Sequence, residues 1–123
     1  MMKIKIRTGN ISLEAVLNDS ETAKLIYEKL PVTGEANCWG DEIYFEIPVS
    51  ASLETDARDI VEIGELGFWP PGSAFCIFFG KTPASKEGEI RAASPINIIG
   101  KITEDTKILK NVMDGEKVLI EKA

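Results

Sequence analysis

Polar and apolar residues alternate along the first part of the chain, from position 2 to position 17. In the run MKIKIRTGNISLEAVL, Ile4 and Ile6 share one face of a first strand, and Leu13 and Ala15 share one face of a second. The turn-forming residues Thr8–Asn10 separate the two runs. Successive side chains of a strand point to opposite faces, so this pattern predicts a β-hairpin.

The next segment changes from alternation to helical spacing. Polar residues in NDS can cap the N-terminus of a helix, and Pro31 ends it. The apolar residues three and four positions apart are Ala23, Ile26, Tyr27 and Leu30. This spacing predicts an amphipathic helix that covers an open end of a sheet or barrel.

The remainder of the chain consists of short apolar runs separated by Gly and Pro. We predict strands at Glu35–Trp39, Glu42–Ile47 and Ser73–Phe79, and further strands in IVEIGELG, PINIIGKI and EKVLIEKA. The run TEDTKILKNV predicts a second short helix, and Gly80–Ser94 precedes PINIIGKI as a long loop. About eight to ten short strands favour a sandwich or a closed barrel, whose two ends the helices can cover.

Composition is that of an ordinary globular chain of 123 residues, 44% apolar and 28% charged, which predicts one domain over residues 1–123. The net charge of −6 and the absence of clustered Lys or Arg argue against a nucleic-acid partner. No apolar run approaches the roughly 20 residues of a membrane span. The charged and apolar alternation at the start does not form a signal peptide. We therefore expect a cytoplasmic protein without a membrane partner.

The chain has no histidine and only two cysteines, Cys38 and Cys76. Histidine is the commonest metal ligand and the commonest general base, so its absence excludes Ser-His-Asp triads and Cys-His dyads, and with two cysteines it argues against a zinc site. Both cysteines lie in apolar surroundings, where cysteines are usually small buried groups. We therefore expect neither a metal nor a cofactor.

The second half of the chain resembles a known family. GSAFCIFFG, PINIIGKITEDTKILKNV and KVLIEKA are similar to the last third of a cyclophilin, and EIYFEIP matches the strand that bears the cyclophilin catalytic arginine. More closely, WGDEIYFEIPV, FWPPGSAFCIFFG and ASPINIIGKI resemble the small prokaryotic cyclophilin-like family over essentially the whole chain. The resemblance implies a mainly β fold, a closed eight-stranded barrel with two short capping helices.

This sequence departs from the cyclophilin pattern at the groove where cyclophilins bind a prolyl peptide. Tyr44, Phe45 and Glu46 stand where the resemblance places the catalytic arginine. The usual Gln and Phe of the groove match Ala74 and Cys76. The usual His matches Ile96 or its neighbour Pro95, and this chain has no histidine anywhere. Ordinary prolyl isomerase activity therefore requires a loop arginine, Arg58 or Arg91, to reach the groove.

Strand alternation assigns the side chains of the two strands that border this groove. The set predicted to face the core is Ile43, Phe45, Ile47, Phe75, Ile77 and Phe79. The resemblance turns the opposite face toward the groove. With the bordering aromatic residues and one loop arginine, the candidate ligand-binding residues are Tyr44, Glu46, Phe68, Trp69, Ala74, Cys76, Phe78 and Arg91.

Each of these features also has a purely structural interpretation. The alternating Glu-x-Tyr-x-Glu pattern of EIYFE is common on the solvated side of a strand. Trp69 could stack on the Pro-Pro turn that follows it, and Trp39 could fill one end of the barrel. Cys76 has no evident base or cation to activate it as a nucleophile.

These observations favour a binding module that takes up a small molecule or a peptide in the groove. Prolyl isomerisation with a loop arginine is the alternative, and a structural or subunit role is a third possibility. Neither the ligand nor the oligomeric state follows from the sequence, because one barrel fold can carry unrelated functions.

Overall fold

The computed structural model describes residues 2–123. Its ten strands are β1 (Met2–Thr8), β2 (Ile11–Leu17), β3 (Val32–Glu35), β4 (Asn37–Cys38), β5 (Glu42–Glu46), β6 (Arg58–Val61), β7 (Glu65–Trp69), β8 (Ala74–Phe78), β9 (Ile90–Ile102) and β10 (Lys117–Lys122). One α-helix, α1, spans Glu21–Lys29, and two short 3₁₀ helices span Pro70–Gly72 and Lys107–Asn111. The mainly β prediction is confirmed.

The strands form one antiparallel sheet whose hydrogen-bonded order is β3-β10-β1-β2-β9-β7-β8-β5-β4, with β6 paired separately to β9. Within residues 2–123 no ladder joins β3 to β4 or β5, so the predicted closed eight-stranded barrel is not what the structure contains. The two ends of the sheet approach through side-chain packing instead. Phe45 of β5 packs against Gly34 of β3, where a Cβ atom would clash with the ring.

The predicted hairpin is confirmed. β1 pairs with β2 in the register Ile4↔Ala15 and Ile6↔Leu13, and Gly9 occupies the turn with φ +56°. The side chains of these two pairs are buried in the core. The alternating pattern therefore specified both the pairing and the buried face of this hairpin.

The first predicted helix is confirmed as α1. Its N-cap is Ser20, whose side chain accepts a hydrogen bond from the Ala23 N–H, and it buries Ala23 and Ile26 against the sheet. Within residues 2–123 no helix is both long and apolar enough to cross a membrane.

The second predicted capping helix is a 3₁₀ helix of five residues, Lys107–Asn111, rather than an α-helix. The Leu109 N–H bonds to the Thr106 carbonyl, three residues back, which closes a 3₁₀ turn. Leu109 is buried, so one turn suffices to place its side chain in the core. The prediction of two capping helices is therefore half right.

Three predicted segments have clearly different boundaries in the structure. The run IVEIGELG, predicted to contain one strand, is divided between β6 and β7. The strand predicted at Glu35–Trp39 is divided between β3 and β4, because Ala36 between them bonds instead to Glu116. The strand predicted in PINIIGKI is the second half of the 13-residue strand β9, which already begins at Ile90 inside the expected loop. The first half of β9 pairs with β6 and crosses over the outer face of the sheet.

Two groups of buried apolar side chains lie on the two faces of strands β5 and β8. The inner core contains all six residues predicted to face it, namely Ile43, Phe45, Ile47, Phe75, Ile77 and Phe79. A smaller outer cluster contains Val61, Ala74, Cys76, Phe78, Ile90, Ala92 and Ile96. The segment that crosses at the start of β9 covers this outer face, and the candidate site lies there.

The contact between Gly34 and Phe45 gives a test of how the ends of the sheet meet. A Cβ atom added at Gly34 would lie 2.5 Å from Phe45 Cδ2 and 2.9 Å from its Cβ. We predict that Gly34→Ala lowers the free energy of unfolding by about 1–3 kcal/mol, the usual cost of overpacking a core, measured by urea denaturation. Glu35→Ala, at the exposed neighbouring position, is the control and should change stability by less than about 0.5 kcal/mol. An unchanged Gly34→Ala protein would contradict the packing described.

Candidate functional site

A cavity of about 270 Å³ opens on the outer face of the sheet, between strands β5 and β8 and the crossing start of β9. We call it the aromatic cavity. Its lining residues are Trp39, Glu42, Tyr44, Trp69, Cys76, Ala92, Ala93 and Ile96. Three aromatic rings and three aliphatic side chains therefore surround one carboxyl group and one thiol.

A tight turn places Trp39 and Glu42 side by side in this cavity. The Trp39 N–H donates to the Glu42 carbonyl at 2.9 Å, and the Glu42 N–H donates to the Trp39 carbonyl at 3.2 Å. Gly40, with φ +62°, and Asp41 connect them. Residues that exchange both backbone hydrogen bonds lie directly opposite each other, so their side chains share a face.

The next row of side chains on the same face consists of Tyr44 and Cys76. These two residues are cross-strand partners in the ladder between β5 and β8. Tyr44 is two positions after Glu42, so the alternation of β5 turns both toward the cavity. The pairing register of β5 and β8 thus decides which of their side chains form this wall of the cavity.

Trp69 forms the opposite wall at the end of β7, and a hydrogen bond fixes its orientation. Its indole Nε1–H donates to the Ser94 Oγ at 2.6 Å. Ser94 belongs to β9, so this bond also ties the crossing strand to β7. Between the two strands, Ile96 packs over Gly67, where no side chain stands in its way.

The Glu42 carboxyl is buried in these apolar surroundings. Glu42 is only 5% exposed, and its carboxyl forms no ion pair within residues 2–123. Burial disfavours the charged form and raises the pKa of Glu42 to about 7, a shift that a hydrogen bond with the Cys76 thiol only partly opposes. The carboxyl is therefore poised to gain or lose a proton near neutral pH.

Cys76 is a poor nucleophile in this position. Burial raises the pKa of its thiol well above the ordinary value, and the neighbouring Glu42 raises it further. The Sγ atom also lies 3.7 Å from the Ala74 carbonyl oxygen. The Cys76 side chain therefore serves as a small, weakly polar part of the cavity wall.

The structure brings together three of the eight residues predicted for the site. Tyr44, Trp69 and Cys76 line the aromatic cavity. Ala74 and Phe78 lie on the predicted face but are buried within the outer cluster, and Phe68 is buried in the inner core. Glu46 is on the predicted face as well, at an exposed position outside the lining.

The two arginines considered for a role in catalysis are held away from the cavity. Arg91 pairs with Asp59 at 2.8 Å and with Glu89 at 2.7 Å. Arg58 makes two hydrogen bonds to the Glu65 carboxylate, at 2.9 and 2.7 Å. Neither residue lines the aromatic cavity.

Five lining residues were not predicted for the site: Trp39, Glu42, Ala92, Ala93 and Ile96. Glu42 carried a usable signal, since it alternates with Tyr44 on the predicted groove face. Trp39 could have been placed beside it by recognising Gly40 and Asp41 as a two-residue hairpin turn. The other three residues line the cavity because β9 crosses the outer face of the sheet, and this crossing cannot be predicted from local sequence.

Comparison with known proteins identifies relatives of this chain. The model of a protein family described as cyclophilin-like matches residues 2–121. The solution structure of the hypothetical protein AF2241 from Archaeoglobus fulgidus superposes with a TM-score of 0.84 at 43% identity, covering 99% of this chain and 95% of that one. No curated protein matches this chain in a sequence search.

A more distant likeness is to McbB, whose structure was solved in complex with tryptophan. Its TM-score is 0.74 at 14% identity, and the match covers 96% of this chain but only 44% of McbB. At this level of identity the likeness concerns the fold alone.

The burial of Glu42 gives a prediction for stability as a function of pH. The pKa of Glu42 is about 7 in the folded chain against 4.5 for an ordinary Glu, so the folded state holds the proton more tightly. The stabilisation that the folded state gains by binding this proton more tightly is fully present below pH 4.5, and it is lost as the pH rises through 7. We predict that the free energy of unfolding of Glu42→Gln, relative to that of the wild type, rises by about 3 kcal/mol from pH 4.5 to pH 8.

The measurement is urea denaturation of both proteins across this pH range. Glu46→Gln, which removes a carboxyl from an exposed position of the same strand, is the matched control and should run parallel to the wild type. A Glu42→Gln curve that also runs parallel to the wild type would contradict the burial of an unpaired carboxyl.

Proposed function

The chain belongs to the cyclophilin-like family, and from this premise we propose that it is a binding protein that takes a small organic molecule into the aromatic cavity. The observation that carries the proposal is the lining itself, in which Trp39, Tyr44 and Trp69 surround a buried carboxyl. Ligand sites in proteins are typically concave and mostly apolar, with a few well-placed polar groups. The aromatic cavity has this composition.

The size of the cavity favours a small ligand. At about 270 Å³ it is near the lower end of the usual range for small-molecule sites, roughly 300–1,000 Å³. A single ring or a short branched chain fills such a volume, whereas an extended peptide needs a longer groove. Of the two ligand classes expected from the sequence, small molecule and peptide, we therefore propose the small molecule.

The structure of the distant neighbour McbB with tryptophan supports the proposal of a ligand of this size. That protein was solved with tryptophan, a molecule that combines an aromatic ring with an ammonium group. The likeness between the two chains concerns the fold, so tryptophan serves here as one probe among others. McbB is a protein that contains this fold and was solved with a small aromatic molecule, which supports the choice of probe.

Prolyl isomerisation is less well supported than binding. The cyclophilin reaction depends on an arginine in the groove, and the aromatic cavity has no Lys or Arg in its lining. The two loop arginines considered for this role, Arg58 and Arg91, are held in ion pairs with acidic side chains outside the cavity. A cavity that presents a carboxyl cannot supply the positive charge that this mechanism requires.

NMR spectroscopy of the ¹⁵N-labelled protein tests the proposal directly. The chain has two tryptophans, Trp39 and Trp69, and both line the cavity, so their indole N–H signals report on it. We predict that small ring compounds, with L-tryptophan among them, shift these two signals in a saturable way. Trp69→Ala should weaken the binding by about tenfold or more, because it removes one wall.

Ile63→Ala is the matched control, since Ile63 is an exposed apolar residue outside the cavity. This variant should bind as the wild type does. Ring compounds that leave both indole signals unmoved, or that bind Trp69→Ala as tightly as the wild type, would overturn the proposed function.

A further inference from the structure

We propose that the ligand of the aromatic cavity is an organic cation, an ammonium group on a small apolar body, and that Glu42 supplies the opposite charge. This inference rests on the proposed function and deepens it by naming the ligand class. Three features of the cavity, as residues 2–123 form it, point to it: the unpaired carboxyl, the aromatic walls and the absence of any positive side chain in the lining.

The first feature is the contrast between Glu42 and the other buried acid of the chain. Glu65 is 8% exposed, and the Arg58 guanidinium neutralises it through two hydrogen bonds. Glu42 is 5% exposed, and no Lys or Arg of residues 2–123 pairs with it. A buried carboxylate is costly unless a positive group accompanies it. The cavity beside Glu42 is where such a group would fit.

The second feature is the set of three aromatic walls. The faces of Trp and Tyr rings attract cations, most strongly when the cation leaves water to reach them. Trp69 offers its ring rather than its N–H, because the N–H is already bonded to Ser94. An ammonium group in the cavity would thus meet ring faces on its sides and a carboxylate at Glu42.

The third feature excludes ligands of the opposite charge. The elements around the cavity contribute Trp39 beside β4, Glu42 and Tyr44 from β5, Trp69 from β7, Cys76 from β8, and Ala92, Ala93 and Ile96 from β9. The titratable groups in this set are the carboxyl, the phenol and the thiol, and none of them becomes positive. An anion would find no counter-charge there and would be repelled by ionised Glu42.

Choline and its neutral isostere 3,3-dimethyl-1-butanol form the test, because they share one shape and differ in charge. At pH 8, where Glu42 is ionised, we expect choline to bind the wild type about tenfold more tightly than the alcohol, as measured by saturable shifts of the indole N–H signals. Glu42→Gln keeps the shape of the side chain and removes its charge. It should abolish this preference, so that choline binds no more tightly than the alcohol.

The pH dependence of choline binding provides a second test of the same inference. Choline carries no titratable ammonium proton, so any change in its affinity comes from the protein. Because burial raises the pKa of Glu42 to about 7, binding of a cation must drive off a proton. The affinity for choline should therefore rise about tenfold between pH 6 and pH 8, and that of the alcohol should stay constant.

The outcomes separate this inference from the proposed function. At pH 8, equal binding of the two probes, tighter binding of the alcohol, or a choline preference that survives in Glu42→Gln would overturn the cation assignment and leave a small-molecule site standing. Saturable binding of neither probe at millimolar concentrations, together with no response to ring compounds, would overturn both.

Discussion

The burial of the Glu42 carboxyl, with no Lys or Arg of residues 2–123 paired to it, is the constraint around which the outer face of this sheet is organised. Water would stabilise the charged form of an exposed carboxyl, but the aromatic and aliphatic side chains around the cavity leave Glu42 only 5% exposed. Their packing holds the carboxyl in a state whose charge depends on the proton concentration near neutral pH. The fold retains a group that costs stability when it is ionised, and such groups are often found at functional sites.

Several parts of the fold maintain this arrangement. The turn at Gly40 sets Trp39 opposite Glu42, the ladder between β5 and β8 sets Tyr44 opposite Cys76, and Ser94 fixes Trp69. Each of these is a backbone register or a directed hydrogen bond, so the walls are in place before any ligand arrives. Preorganised walls of this kind reduce the entropy cost of binding.

The sequence predicted what depends on local periodicity. Alternation correctly assigned Phe45 and Phe75 to the inner core and Tyr44 and Cys76 to the outer face. Helical spacing with the Ser20 cap correctly located α1. In each case the side-chain period of the element decides which face is buried, and that period can be read without knowing any partner.

The features that the sequence did not predict depend on contacts between distant segments. Within residues 2–123 the ends of the sheet do not close by hydrogen bonds but meet where Phe45 packs on Gly34. Ile96 reaches the cavity only because the first half of β9 crosses the outer face. Glu42 alternates with Tyr44 along β5, but the lack of an ion pair between it and any Lys or Arg of residues 2–123 is a property of the assembled molecule.

A ¹³C NMR titration of the glutamate side-chain carboxyls would show whether the Glu42 carboxyl is buried without a positive partner. The Glu42 signal is identified by its absence from the Glu42→Gln protein. The burial described here predicts a titration midpoint of about 7 for that signal. A midpoint at the ordinary glutamate value of 4.5 would mean that water or a cation reaches the carboxyl, and the cavity as described would be wrong.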